Sequence, residues 1–344
     1  MTVIPATHRY GRYLQFIDEY FEKGWTDGLP VLPPTVARVR EILRELALDA
    51  DEVLGRIPSQ DVTVTAEQVV VNSLMAGCIS VHMPLMIGAV RAFLDPKSNA
   101  HGTTGSLASP AHLVMVNGPA RLGLEVNCGS GCFGPGSRAN ATIGRALRLV
   151  IRNCCNAIPG FADRAAFSQP ARYSFCFGED EESSGWLPMH VERGFAPDDN
   201  VVTVASFTEN YALRDLDSRT PEELLKRFAS MARSRPVHVD YALGLDRTVL
   251  IVIGPEHRAL LEAHGWSKQQ VRDCLYPLLT APPTNVDDEG NPQAWGLGVE
   301  GGELESNIGL PAPEGLLLAT AGGTGLGLSF MFYPHWSAAV SRRF

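Results

Sequence analysis

Three apolar runs in this chain each empty directly into a glycine turn, and that punctuation limits the architectures open to it. Residues 112–116 end in Asn117-Gly118-Pro119, residues 248–253 in Gly254-Pro255, and residues 316–320 in Ala321-Gly322-Gly323-Thr324-Gly325. Runs this short and this apolar read as buried strands, and the glycine or proline that follows stops each one. Helices with good start signals sit between or beside them, opened by Glu256, by Thr220-Pro221-Glu222-Glu223 and by Ser267-Lys268-Gln269-Gln270. The alternation predicts an α/β fold of mixed or parallel sheets flanked by helices, with a binding crevice at the strand carboxyl ends. The first two strand-Gly-Pro devices resemble each other, which admits two related lobes, although so cheap a pattern also recurs by coincidence.

The rest of the chain extends that reading. Leu14, Ile17 and Phe21 recur at helical spacing, so residues 10–23 should form an amphipathic helix stopped by Gly24. The segment 25–35, with Pro30, Pro33, Pro34 and the Asp27-Gly28 pair, should be a stiff strap before a second helix near Val36. A short strand at 62–64 leads into Thr65-Ala66-Glu67-Gln68, which fits a capping box for a helix to about Ala76. Pro84 suits the first turn of the next helix, and the polar stretch 98–109 reads as a surface loop. The expected organisation is a helical arm and proline-rich strap over 1–60, a first α/β lobe with a Gly/Cys loop over 61–200, and a second α/β lobe over 201–344.

Composition narrows the function. With 45% hydrophobic and 19% charged residues in 344, the chain is globular, and its net charge of −9 argues against nucleic acid and anionic membranes. No apolar run approaches the ~20 residues of a membrane span, and no leader-like apolar core opens the chain, so a cytoplasmic protein is expected. Seven cysteines, an odd number in a long chain, point to reduced thiols.

Chemistry concentrates in the segment Asn127-Cys128-Gly129-Ser130-Gly131-Cys132-Phe133-Gly134-Pro135-Gly136-Ser137, which leads into a helix over 137–154. A thiol beside a helix N-terminus and Arg138 should have a lowered pKa, so Cys132 is the expected nucleophile or redox sulfur and Cys128 its resolving partner. Cys154 and Cys155 lie at the far end of that helix, roughly 25 Å away, and cannot share a metal with the first pair; no metal site is expected. Arg138, Arg145, Arg148 and Arg152 form a stripe opposite the packing face, either solvated or binding carboxylates of a ligand or another subunit. Arg138 and Arg145 are the expected anion anchors, with Asn117 and Asn140 as further substrate contacts. Glu179, at the end of the strand-like run 173–178, with His190, and His257 in Gly254-Pro255-Glu256-His257, are candidates for proton transfer. Gly322, Gly323, Thr324 and Gly325 could cradle a phosphate, with flavin or nicotinamide as the cofactor alternative to none.

Several segments resemble a bacterial family described as UGSC-like (seleno)protein-related. They are Gly24 to Pro30, Asn72-Ser73-Leu74-Met75-Ala76-Gly77-Cys78, Val116-Asn117-Gly118-Pro119, the long stretch Gly134 to Ala146, and His264-Gly265-Trp266-Ser267-Lys268. The resemblance implies a redox- or thiol-linked activity, beside a second subunit carrying a cysteine or selenocysteine centre; this chain has Cys-Gly-Ser-Gly-Cys where the family name denotes a tetrad. The expected function is thiol-dependent chemistry, by an oxidoreductase or lyase, on a small anionic metabolite, in a homo-oligomer or with a partner subunit. The alternatives are a cysteine-independent lyase or hydrolase using Glu179 and His257, and a non-catalytic subunit of an enzyme complex.

Overall fold

The computed structural model describes residues 8–233, 248–280 and 312–344. The first seven residues of the stretch read for a leader lie outside them. The chain opens with α1 (His8–Glu22) and α2 (Val36–Glu45), then a two-stranded antiparallel ribbon of β1 (Val53–Ile57) and β2 (Val62–Thr65). Helices α3 (Ala66–Ala76), α4 (Met83–Phe93) and α5 (Ala100–Gly105) lead to β3 (Ala111–Asn117), α6 (Ala120–Gly123) and α7 (Arg138–Cys154). There follow β4 (Cys176–Gly178), α8 (Met189–Glu192), β5 (Val201–Arg214), α9 (Pro221–Arg233), β6 (Val249–Ile253), α10 (Pro255–Ala263) and α11 (Lys268–Thr280). The described chain ends with β7 (Leu316–Thr320), β8 (Leu328–Pro334) and β9 (Val340–Arg343).

Strands β3 to β9 form one sheet of seven strands, in the order β4-β3-β5-β8-β6-β7 with β9 also on β5. The β3/β4 and β6/β7 pairs are parallel and the others antiparallel, so the sheet is mixed. It curls into a half-barrel flanked by helices, an α/β fold. The 14-residue β5 makes the curl possible. Its first half pairs with β3 and β9, its second with β8, and the register shifts between Phe207 and Glu209, where a bulge bends the strand.

Period-two alternation then sorts side chains between the outside and the lumen. Val114 and Val116 of β3 pack outward with α2, α3, α4 and α7, while Val249, Ile251 and Ile253 of β6 pack outward with α9, α10 and α11. Leu113, Met115, Leu250, Val252, Leu317 and Ala319 turn inward with Phe175, Phe177, Phe207 and Phe332. Each end of the sheet thus has its own helical cover, and both contribute to one lumen.

Local signals account for the element ends. Thr65 Oγ1 accepts from the Gln68 amide and Gln68 Oε1 accepts from the Thr65 amide, closing the capping box of α3, and Gly77 ends the helix at φ +100°. The stretch 98–109 differs from the surface loop expected of it: Asn99 caps α5 by accepting from the Gly102 amide, and Thr103 and Thr104 are buried. Among the described residues no helix is long and apolar enough to cross a membrane.

Candidate functional site

The carboxyl ends of β3, β4 and β7 meet at one rim of the half-barrel. The Glu179 amide donates to Val116 O at 3.1 Å, the Asp180 amide to Thr320 O at 2.7 Å, and Thr320 Oγ1 returns a bond to Asp180 O at 2.8 Å. The Gly/Cys loop is tied into the same seam, because Gly178 N donates to Asn127 O at 3.1 Å and Gly322 N to Cys128 O at 2.8 Å. Gly323 has to be glycine here: a Cβ would stand 2.7 Å from Ser130 Cβ, so the turn after β7 could not approach the loop. Its neighbour Gly325 donates to Glu256, while Thr324 is exposed. Gly322 and Gly323 thus join the turn after β7 to the Gly/Cys loop, and Gly325 ties it to α10.

Phe133 anchors the loop from below. Its ring centroid lies 5.1, 4.9, 5.2 and 5.6 Å from those of Phe175, Phe177, Phe330 and Phe332, mostly edge to face. Asn140, in the first turn of α7, holds the two ends together: Nδ2 donates to Asn127 O at 2.9 Å and Cys132 O at 3.1 Å, and Oδ1 accepts from the Asn127 amide at 2.8 Å. Every hydrogen bond of this side chain serves the loop, which explains the residue without a substrate.

Charge is dense at the rim and paired. Arg121 of α6 is buried, with Nη2 on Glu182, Nε 3.5 Å from Glu181 Oε1, and Nη1 3.9 Å from Cys128 Sγ. Glu179 is also buried and accepts from Asn117 Nδ2 at 2.6 Å, the Met189 amide at 2.7 Å and Lys268 Nζ at 3.2 Å. Asp180 pairs with Arg258 at 3.0 Å. His190 is buried, with Nε2 3.4 Å from Pro197 O; its Nδ1 lies 4.0 Å from Glu181 Oε1 and has no hydrogen-bond partner.

The two cysteines differ in access. Cys128 is half-buried: burial pushes its thiol up, Arg121 pulls it down, and Asp180 and Glu182 push it up again, for a net rise. Cys132 is 5% exposed, and burial drives its thiol up to about 12 against the pull of backbone N–H groups of its own, Gly322 and Phe133. The lowered thiol expected at a helix cap is thus corrected. Helix α7 starts at Arg138 with Ser137 as N-cap, its hydroxyl accepting from the Asn140 amide, and Cys132 lies upstream in the lumen, where desolvation dominates. Cys154 accepts from Asn72 Nδ2 at 3.4 Å at the far end of α7, away from this pair.

The rim brings together Cys128, Cys132, Asn117, Glu179, His190, Gly322 and Gly323. Arg138, Arg145 and His257 are engaged elsewhere. Arg138 Nη2 donates to Gly77 O at 3.2 Å. Arg145 grips Asp27 with two bonds of 2.8 Å and adds Leu29 O and Pro30 O, while Arg152 donates to Thr26 O at 2.6 Å and Gly24 O at 3.1 Å. Much of the stripe is therefore a clasp on the strap, neither solvated nor, at Arg145, open to an anion. His257 Nδ1 is 2.7 Å from Ser329 Oγ and Nε2 2.8 Å from Asp215 O, a satisfied histidine whose burial lowers its pKa.

Sequence reasoning passed over Arg121 and Lys268, the two buried cations that balance the carboxylate run. Arg121 stands four residues beyond Asn117, in the short helix α6 that follows β3, and that position near a strand's carboxyl end was the available signal. No protein-family model, curated protein or solved structure matches the chain.

Proposed function

We propose that the rim is a thiol site carrying two-electron redox chemistry on a small metabolite, with Cys128 as the reactive sulfur and Cys132 as the resolving one. The observation that carries this reading is the half-buried Cys128 Sγ, 3.9 Å from Arg121 Nη1, on the same loop as Cys132. A cation beside a sulfur favours its thiolate, and Cys128 is the more accessible of the pair. The roles are exchanged relative to the sequence expectation because access favours Cys128. Asn140, Arg138 and Arg145 bond within the protein, and Asn117 Nδ2 is held by Glu179 and Glu181 while its buried Oδ1 has no hydrogen-bond partner, so the rim selects its substrate by redox chemistry and not by charge.

In this scheme Cys128 gives up its proton and its sulfur attacks an electrophilic oxygen or sulfur of an oxidised substrate, whose leaving group departs protonated. Cys132 then loses its proton and displaces the remaining substrate fragment from Cys128. A disulfide forms, the substrate takes up two electrons and two protons, and a low-molecular-weight thiol restores the dithiol. Glu179 is a positioning residue that ties Asn117, Met189 and Lys268 together.

Oxidation with a small excess of hydrogen peroxide, followed by peptide mapping, tests the proposal. A Cys128–Cys132 disulfide that dithiothreitol reverses, and whose formation is lost in Cys128→Ser, is expected. Persistence of both thiols while Cys154 and Cys155 oxidise would overturn it. A second reading, acid–base chemistry without a thiol, is favoured by the unpartnered His190 Nδ1 beside Glu181. On that reading turnover survives Cys128→Ser and is lost in Glu181→Gln.

A further inference from the structure

A cleft of about 650 Å³ opens between the strap, one face of α7 and the segment 157–173. Its size is that of a small-molecule site. Arg148, Arg152, Arg172, Asp27 and Asp163 supply its charges, and its lip carries Tyr173 and Phe167, the latter 98% exposed.

The charges do not balance. Asp27 is taken by Arg145, and Asp163 by Arg172, at 2.6 Å from Nη2 and 3.4 Å from Nη1. Arg148 is buried, yet its partners are neutral: Nε donates to Arg172 O and Nη1 to His112 Nδ1, each at 3.1 Å. His112 cannot offset the charge, because an imidazole is either neutral or cationic; burial and then Arg148 itself hold its pKa well below the usual value and keep it neutral. Arg152 likewise meets only the carbonyls of Gly24 and Thr26. Among the described residues, Arg148 Nη2 and Arg152 Nη1 have no partner, and the buried Arg172 Nε has none either. Buried guanidinium groups are normally paired with anions.

We propose that this cleft binds a small organic anion, with a carboxylate or phosphate head on Arg148 and Arg152 and a flat apolar body against Tyr173 and Phe167. A guanidinium fork matches either head in two-point contact. Burial, and next the charge of Arg172, pull Arg148 down to about 9, a strain that an anion would relieve. An exposed aromatic pair at the mouth suits the apolar part of such a ligand. The cleft shares no residue with the thiol site, so this inference stands apart from the proposed function.

Isothermal titration calorimetry of the whole protein tests it, using phenylacetate and phenyl phosphate as probes against 2-phenylethanol and benzylamine. At least one aryl anion should bind about tenfold or more tightly than the neutral and cationic analogues. Arg152→Gln should weaken that binding by about tenfold or more, the usual consequence of losing a charged hydrogen bond. Because Arg152 also holds the strap, Ile158→Trp provides a second variant: Ile158 lines the cleft at a partly exposed position, and the larger ring should block binding while circular dichroism stays native. Cys128→Ser should bind like the parent protein. The proposal is overturned if neither aryl anion binds at millimolar concentration, if 2-phenylethanol binds equally well, or if Ile158→Trp leaves affinity unchanged.

Discussion

Replacing Phe133 with alanine removes the ring by which the Gly/Cys loop is held over the lumen. That ring has four aromatic neighbours at centroid distances from 4.9 to 5.6 Å. Phenylalanine-to-alanine changes in cores cost roughly 3–5 kcal/mol, and the lower end applies here because Phe133 is only partly buried. About 3 kcal/mol taken from the closed loop raises its open population by roughly 100-fold, since each 1.4 kcal/mol is a factor of ten. Cys132 reports that opening. In a Cys128→Ser background its alkylation at fixed pH, followed residue by residue by mass spectrometry, should accelerate by about that factor. Exposure also removes the burial that holds its thiol at about 12, which changes the rate in the same direction. Cys78 and Cys176, buried in the outer core, report global unfolding and should stay slow. Acceleration below about fivefold would refute the anchoring role, and acceleration of all three cysteines together would show that Phe133 supports the whole fold instead of the loop.

Arg121→Met removes the cation that lowers the Cys128 thiol, so the midpoint of its alkylation rate should move upward, slowing the reaction about tenfold per unit at fixed lower pH; an unchanged profile contradicts the contact. Asp27→Asn should cost about 2 kcal/mol, as for other charged hydrogen bonds, and increase protease cutting within the strap; strict additivity with Arg145→Gln in a double-mutant cycle would deny the clasp. His82, His112 and His257 all have pKa values lowered below the usual 6.5, chiefly by burial. The unfolded chain therefore binds their protons first, so stability is full above that pH and falls as pH drops through it, by up to about 1.4 kcal/mol per unit for each histidine. Urea midpoints across that range should show the decline, and His257→Asn should flatten it; a midpoint independent of pH would refute the assignment.

What could be read in advance was local. The run 316–320 is β7 with those bounds, and the Thr65 capping box and the 17-residue α7 behind Ser137 follow from neighbours a few positions apart. What could not be read depends on partners far along the chain. Strand β5 has no single period, because its first half is buried on both faces while its second half carries exposed polar residues such as Glu209 and Asn210. Helix α5 hides in a polar stretch because Thr103 and Thr104 satisfy their hydroxyls on carbonyls one turn earlier. The Gly/Cys loop and the carboxylate run were each visible as unusual segments. Their meeting was not, since it rests on Gly178 N bonding Asn127 O across 51 residues and Gly322 N bonding Cys128 O across 194.

The arginine stripe marks most sharply where spacing stops being informative. Helical periodicity places Arg145, Arg148 and Arg152 along one side of α7, but the acceptors opposite them decide what each does. Arg145 meets a carboxylate and two carbonyls and is neutralised in place. Arg152 meets carbonyls alone, and Arg148 meets a carbonyl and a neutral imidazole. Carbonyls satisfy the geometry of a guanidinium without cancelling its charge, so the clasp that closes the strap also leaves two cations facing a cleft. A purely structural clasp would largely be kept by glutamine at position 152, whose amide nitrogen takes the place of Nε opposite Thr26 O. Arg152→Gln should therefore leave the strap closed to protease while weakening the aryl-anion affinity, and an open strap with unchanged affinity would assign the residue to the clasp alone.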